Sequence, residues 1–393
     1  MPEGPIRVVI APDSFGGALD SVAVTNAIAA GWERARPHDE LVRAPMADGG
    51  EGTLAALVAA LGERAVRRTL ATVDALGRPV EAEWLLLDDG EGAFVEMASA
   101  SGLARLAPAE RTPAAARAAS TRGTGELVRA ALDAGVRRIT LGLGGSATTD
   151  GGTGMLSALG VRFLDGRGAE LPPGGGPLSD LDRIDPSGLD PRLASVELVV
   201  ASDVTNPLCG TRGAAATYGP QKGADSDTVK ELDAALAVYG DAIERAVGRL
   251  VADLPGAGAA GGTTAALLGF TSAVVRPGVE VVAELVDLPG ALERADLVIT
   301  GEGRADEQTL SGKAAMGVAT LARARNAPVI LLCGSLGQGA AALDASGVFA
   351  VVQPILDHPC DLAEAMTDTE RLVANAAERV ARSIGIGQAL GSS

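Results

Sequence analysis

The chain has 393 residues, 47% of them apolar but only 2% aromatic, which suits two domains whose cores are Ala, Val and Leu packed against glycine backbone rather than around rings. Lys plus Arg number 33 against 50 Asp plus Glu, a formal charge of -17 that argues against a nucleic-acid or anionic-membrane partner. Cys209, Cys333 and Cys360 are widely spaced and form no CxxC pair; with no signal peptide and no apolar run of spanning length, a reduced cytoplasmic protein is expected.

In chain order, IRVVIAPD reads as a buried strand, SFGGALDS as a loop, and SVAVTNAIAAGWERA as an amphipathic helix with Ser21 as its cap and Pro37 as its stop. LVRAPMAD is a second strand and GGEGTLAALVAALG a glycine-led helix. Strand, glycine turn and helix repeated twice predict a parallel three-layer sheet. From about residue 71 to 110 the pattern turns strand-rich, with VEAEWLLLDD and GAFVEMA between glycine turns.

Helix resumes at GTGELVRAALDAG, followed by the strand VRRITLGLG, the polar loop GGSATTDGG and the helix GMLSALG. VRFLDGRGAEL reads as a hairpin, PPGGGPLSDLDRIDPSGLDPR as turns, VELVVASD as a strand and VKELDAALAVYGDAIERAVGRL as a helix. PGAGAAGGTTAALLGF reads as a loop opening onto a helix. The last third alternates simply: ADLVITGEG, APVILLCGS and GVFAVVQPI as strands, GKAAMGVATLARAR and TDTERLVANAAERVARSI as helices. Both ends share one α/β pattern and the middle is mixed. The predicted organisation is a domain made of residues 1–70 plus 286–385, an inserted α/β domain at 71–285, and a flexible tail at 386–393.

Only His38 and His358 are present, neither near a GxSxG-type nucleophile, so a histidine triad is not expected and a carboxylate is the expected base. Five polar loops follow predicted strands, at residues 12–17, 47–53, 142–152, 202–207 and 301–313. Parallel sheets place ligands there. Their glycines let backbone N–H groups converge on an oxyanion, and Asp48, Asp150, Asp203 and Glu302 are candidates to hold magnesium or take a hydroxyl proton. Taken singly, each loop is ordinary turn or cap chemistry; five together point to a phosphorylated or anionic ligand. Lys222 and Lys313, flanked by glycine in a chain with only three lysines, are candidate phosphate cations, whereas Lys230 lies on a helix face. Gly142-x-Gly144-x-x-Ala147 with Asp165 offers a rival dinucleotide fingerprint, opposed by Asp150, Gly151 and Gly152 where an uninterrupted helix is needed.

Taken in order, IAPDSF, ADGGEGT, GGSATTDGG with GMLSALG, SDVTNPLCG with YGPQKGA, GAGAAGG and TGEGRADEQTLSGK resemble the bacterial glycerate kinase family from about residue 6 to 383. The resemblance implies a flavodoxin-like domain built from both chain ends, an inserted α/β domain and an active site in the cleft between. It also implies ATP-dependent phosphorylation of D-glycerate to 2-phosphoglycerate with Mg2+. On this reading Asp48, Asp203 and Lys222 are the catalytic candidates. Asp13, Ser14, Gly49, Gly50, Gly144, Gly145, Ser146, Asn206, Arg304 and Lys313 are the substrate- and phosphate-binding candidates, and Asp150 and Glu302 the metal ligands. The sequence departs from the family pattern at Gly16, where a lysine is usual, and at Ala18, Asp20, Thr149 and Ala315. The alternatives are a nicotinamide-dependent oxidoreductase of a small hydroxy acid, and a non-catalytic anion-binding relative.

Overall fold

A computed structural model describes residues 4–311 and 314–391. Its chain divides into two compact units, one drawn from Met1–Asp48, Ala55–Gly62 and Val279–Ser393, the other from Gly49–Leu54 and Glu63–Gly278. The breaks therefore fall at residues 62 and 278 rather than at 70 and 286, and the 49–54 glycine loop goes with the second unit.

In the first unit, apolar segments form five strands that are all parallel. Across the sheet they run Glu40–Arg43, Arg7–Ile10, Leu297–Ala305, Val329–Leu336 and Val351–Pro354, which is the order 2-1-3-4-5 when counted along the chain. That is the doubly wound order of flavodoxin-type sheets, which gather ligands beyond the carboxyl ends where the order reverses. Strand alternation puts Val8 and Ile10 on one face. There they join Ile28 and Trp32 of the helix Ser21–Ala35 and Leu372 and Val373 of the helix Thr369–Gly391 in one core.

Two local expectations for this unit change. The cap of the first helix is Asp20, whose carboxylate accepts from the Ala23 N–H; Ser21 is already inside the helix. The expected flexible tail is helix through Gly391, because Arg36 donates to the Gln388 side chain at 2.7 Å and holds that end against the first helix.

The second unit has a six-stranded mixed sheet in the order Val274–Arg276, Glu197–Ala201, Arg138–Gly142, Gly92–Glu96, Pro79–Leu87 and Ala65–Val73. The first four are parallel; the last two join antiparallel. A separate ribbon pairs Arg162–Asp165 with Leu181–Asp185. The core is aliphatic as composition demanded, with one aromatic contact, Phe163 against Tyr239, among the ring contacts found.

Three strands escaped the sequence reading. Ala65–Val73 shows mostly exposed side chains on the sheet edge, Leu181–Asp185 lies inside a run of turn residues with only Leu181 and Ile184 buried, and Val274–Arg276 is three residues long. No helix among the described residues is long and apolar enough to cross a membrane. The three cysteines are free thiols.

Candidate active site

In the first unit, the end of the strand Arg7–Ile10 is carried on by the Asp13 N–H, which donates to the Gly301 carbonyl at 2.9 Å. Asp13 Oδ1 accepts from the Ser14 N–H, and Ser14 is exposed. A tight turn follows, closed by the Phe15 N–H on the Leu19 carbonyl, with Gly16 at φ +35° and Gly17 at +78°. Asp48 is exposed beyond the neighbouring strand Glu40–Arg43.

Glu302 was expected in a loop, but residues 301–305 continue the strand Leu297–Ala305, with Glu302 opposite Cys333. Its buried carboxylate accepts from Thr309 Oγ1 at 2.6 Å. Like charges gather here. Burial, opposed by the Ser14 N–H and reinforced by the carboxylates of Asp48 and Glu302, pushes Asp13 up to about 6. Burial and then Glu302 push the Cys333 thiol up to about 12, so it is inert at neutral pH. Arg304 is exposed and faces Asp306 at 3.4 Å rather than joining the carboxylates. Lys313 lies outside the described residues.

In the second unit, the carboxyl ends of Gly92–Glu96, Arg138–Gly142 and Glu197–Ala201 stand side by side, with the 49–50 backbone laid across them. A Cβ at Gly142 would stand 2.5 Å from the Gly49 oxygen, and one at Gly144 would stand 2.4 Å from Gly50 Cα. At Gly49, φ is +82° and a Cβ would meet that of Ala201 at 2.7 Å. These glycines are therefore required first for backbone-to-backbone packing, a demand the sequence reading had assigned to oxyanion binding. Gly145 turns its carbonyl to the Leu103 N–H.

Asp150 was expected to ligate a metal. It is instead fully buried, and its carboxylate accepts from the Thr121 N–H at 2.8 Å, Thr121 Oγ1 at 2.9 Å, the Gly152 N–H at 3.1 Å and the Gly154 N–H at 3.2 Å. Four protein donors occupy it, so it serves the start of the helix Thr153–Ala158 rather than an ion. Lys222 was expected to face phosphate. Its ammonium is buried, donating to Ser146 Oγ at 3.0 Å and to the Thr148 carbonyl at 2.5 Å. Burial draws it down to about 8 against the pull of Asp150.

Asp203 is exposed after the strand Glu197–Ala201, and its Oδ1 accepts from the Gly278 N–H at 3.0 Å. Asn206 has both ends of its amide in use, donating to the Arg212 carbonyl and Thr217 and accepting from the Tyr218 hydroxyl, so it fastens its own loop. Sequence reasoning missed Glu96. This buried carboxylate at a strand end accepts from the Gly52 and Leu54 N–H groups and is pushed up by burial against those bonds. An acid closing the apolar run GAFV was the available signal.

Asp165, the acid that the dinucleotide reading needed on a ribose, accepts from the Arg167 and Ala169 N–H groups inside its own hairpin turn. That removes the fingerprint's last support.

Among the described residues no three metal-ligating side chains converge closely enough to hold an ion unaided. Magnesium asks for less, normally one or two carboxylates with water and phosphate oxygens completing its shell. Asp150, held by four protein donors, does not meet that demand, whereas the charges of Asp48 and Glu302 both act on Asp13 in the first unit.

The family model described as the glycerate kinase family matches residues 8–385. Glycerate kinase of Bacillus subtilis (strain 168) is 43% identical over 385 residues, covering 98% of this chain and 99% of that protein. Glycerate 2-kinase of Escherichia coli (strain K12) is 42% identical over 382 residues, covering 97% and 99%. A crystal structure of a candidate glycerate kinase 2 from Salmonella typhimurium LT2 matches with a TM-score of 0.85 at 43% identity, over 98% of this chain and 100% of that one.

Proposed function

The chain belongs to the glycerate kinase family, and from that premise we propose that it phosphorylates D-glycerate at the 2-hydroxyl, with ATP as donor and magnesium as cofactor, giving 2-phosphoglycerate and ADP. The observation that supports this reading is the set Asp13, Asp48 and Glu302 where the 2-1-3-4-5 sheet reverses its order, with Asp13 pushed up to about 6 by burial first and by the charges of its two neighbours after it.

The hydroxyl oxygen forms the new bond to the γ-phosphorus while the bond from that phosphorus to the ADP oxygen breaks. Asp13 Oδ2 takes the hydroxyl proton, Oδ1 being engaged by the Ser14 N–H. A carboxyl raised toward neutrality suits that task better than an ordinary aspartate. Asp48 and Glu302 would hold magnesium, which supplies neutralisation of phosphate charge when bound. Asp203 retains a candidate role in orienting the substrate. With free thiols and no spanning helix among the described residues, the cytoplasm is the proposed location.

The test is ADP release coupled to D-glycerate, with and without magnesium, followed by NMR of the product. Glycerate- and magnesium-dependent release with phosphorus on carbon 2 is expected. Phosphorus on carbon 3 would overturn the regiochemistry, and no release would leave the non-catalytic anion-binding reading.

A further inference from the structure

We propose that Thr309 is a positioning residue for the transfer: its buried hydroxyl holds the carboxylate of Glu302, the magnesium ligand proposed above, in place beside Asp13 without touching substrate. The inference rests on the kinase reading above and on residues of the first unit alone.

The sheet brings the two acids together. Val8, Val9 and Ile10 pair in parallel with Leu297, Val298 and Ile299. The ladder continues past the end of the strand, since the Ala11 N–H donates to the Ile299 carbonyl at 2.8 Å and the Asp13 N–H to the Gly301 carbonyl at 2.9 Å. Repetition of that bond two residues on keeps the register, so Asp13 falls opposite Glu302, one strand spacing of about 5 Å away. The charge of Glu302 on Asp13 agrees with this placement. Gly301 and Gly303, on either side of Glu302, give their face of the strand to the first loop. A Cβ at Gly301 would stand 3.1 Å from the Phe15 ring, and one at Gly303 would stand 3.1 Å from the Phe15 carbonyl carbon.

Backbone register places Glu302 but leaves its side-chain torsions open, and the like charge of Asp13 opposes any fixed setting of them. Thr309 supplies the restraint. It lies fully buried in the turn Glu307–Ser311 and closes that turn twice: its N–H donates to the Asp306 carbonyl at 3.0 Å, and its Oγ1 accepts from the Asp306 N–H at 3.1 Å. A hydroxyl carries one proton, so an oxygen already accepting from an amide turns that proton to its remaining neighbour, Glu302 Oε1, at 2.6 Å. The Asp306 carboxylate does not compete for it, because its Oδ1 takes the Gln308 N–H. A bond from a fixed donor to an ionised oxygen is among the stronger hydrogen bonds, and the β-branch of threonine limits the torsion from which it is made. Thr309 thus passes the rigidity of the 306–309 turn to a carboxylate on the neighbouring strand.

The experiment compares the wild type with Thr309→Val, Thr309→Ser, Glu302→Gln and the Thr309→Val/Glu302→Gln double variant. It measures kcat and KM for ATP and glycerate, the affinity for Mn2+ in the presence of ADP by electron paramagnetic resonance, and hydrogen exchange of the 306–309 amides. Thr309→Val keeps the shape and removes the hydroxyl. It is expected to lower kcat and Mn2+ affinity by roughly 10- to 100-fold each, as loss of a group that orients a metal ligand does, with KM for glycerate near wild type. Thr309→Ser should regain most of both. The Asp306 amide should exchange faster in the Val variant than in the Ser variant, and the double variant should be no worse than Glu302→Gln.

An unchanged kcat or Mn2+ affinity in Thr309→Val, a Ser variant as impaired as the Val variant, or losses that multiply in the double variant would each overturn the role. If the Val variant does not fold, unchanged kcat and Mn2+ affinity in Glu302→Gln overturn it alone. A wild type without turnover rejects the kinase reading itself, an outcome distinct from an active wild type indifferent to Thr309.

Discussion

At the carboxyl ends of the first unit's sheet, Asp13 is pressed by burial and by the charges of Asp48 and Glu302; in the second unit Asp150 is surrounded by four donors and Lys222 by two acceptors. In both regions burial outweighs the hydrogen bonds on the buried charge, but at Asp13 the neighbouring like charges of Asp48 and Glu302 add to the penalty, whereas at Lys222 the opposite charge of Asp150 reduces it. Repulsion retained in a folded protein weakens stability and is kept where chemistry requires it, whereas compensated charge fixes a backbone in place. The proposed function takes the carboxylate group as the reacting end; the Lys222 bonds hold the 146–148 segment within the second unit.

The sharpest way to break this contrast is Asp13→Asn, which should lower kcat by about 10²- to 10⁴-fold and yet raise the thermal stability of the ligand-free protein at pH 7. The folded protein holds the Asp13 proton more tightly than the unfolded chain, with values of about 6 and 3.8, so ionisation costs stability increasingly as pH rises through that window. The gain of the variant should accordingly disappear below about pH 4. Melting curves across pH check it, and a variant less stable than wild type at pH 7 contradicts the repulsion argument.

Lys222 should respond in the opposite sense. Its folded value of about 8 lies below the ordinary 10.5, so its penalty is full below pH 8 and relaxes between the two.

Packing gives the next effect. Gly144→Ala puts a methyl group 2.4 Å from Gly50 Cα and should cost about 1 to 3 kcal/mol, read as a lower melting temperature. Asn206→Ala should cost about 1 to 2 kcal/mol by leaving the Arg212 carbonyl and Tyr218 hydroxyl without their partner. Its KM for glycerate should stay unchanged, and a raised KM would return Asn206 to the substrate site. Gly16→Lys should have the smallest effect, about 1 kcal/mol from its positive φ alone, because nothing lies within 4 Å of a Cβ there. A higher turnover in that variant would mean that the loop lacks a useful cation.

The alternating elements of both chain ends, and the loops worth inspecting, were legible because strand and helix periodicity are local properties. What each loop residue does was not. Asp150 meets Thr121 across 29 positions and Lys222 meets Ser146 across 76, and nothing in GGSATTDGG or GPQKG announces that these side chains turn inward. Gly142 and Gly144 stood out as parts of a fingerprint and an N–H cradle, whereas what they meet is another stretch of backbone, Gly49 and Gly50. Asp20 as helix cap was open to a local reading, since it stands just before the apolar period; Ser21 competed with it on equal chemistry.

The central strand of the first unit takes its other neighbour from far along the chain: the Arg7 N–H meets the Asp296 carboxylate across 289 positions, and Val8 pairs with Leu297. During synthesis the opening strand pair must wait, with one edge unpaired, until Leu297 has emerged behind the whole of Glu63–Gly278. A pairing so distant in sequence makes this sheet slow to complete, however quickly its local strand and helix pieces form.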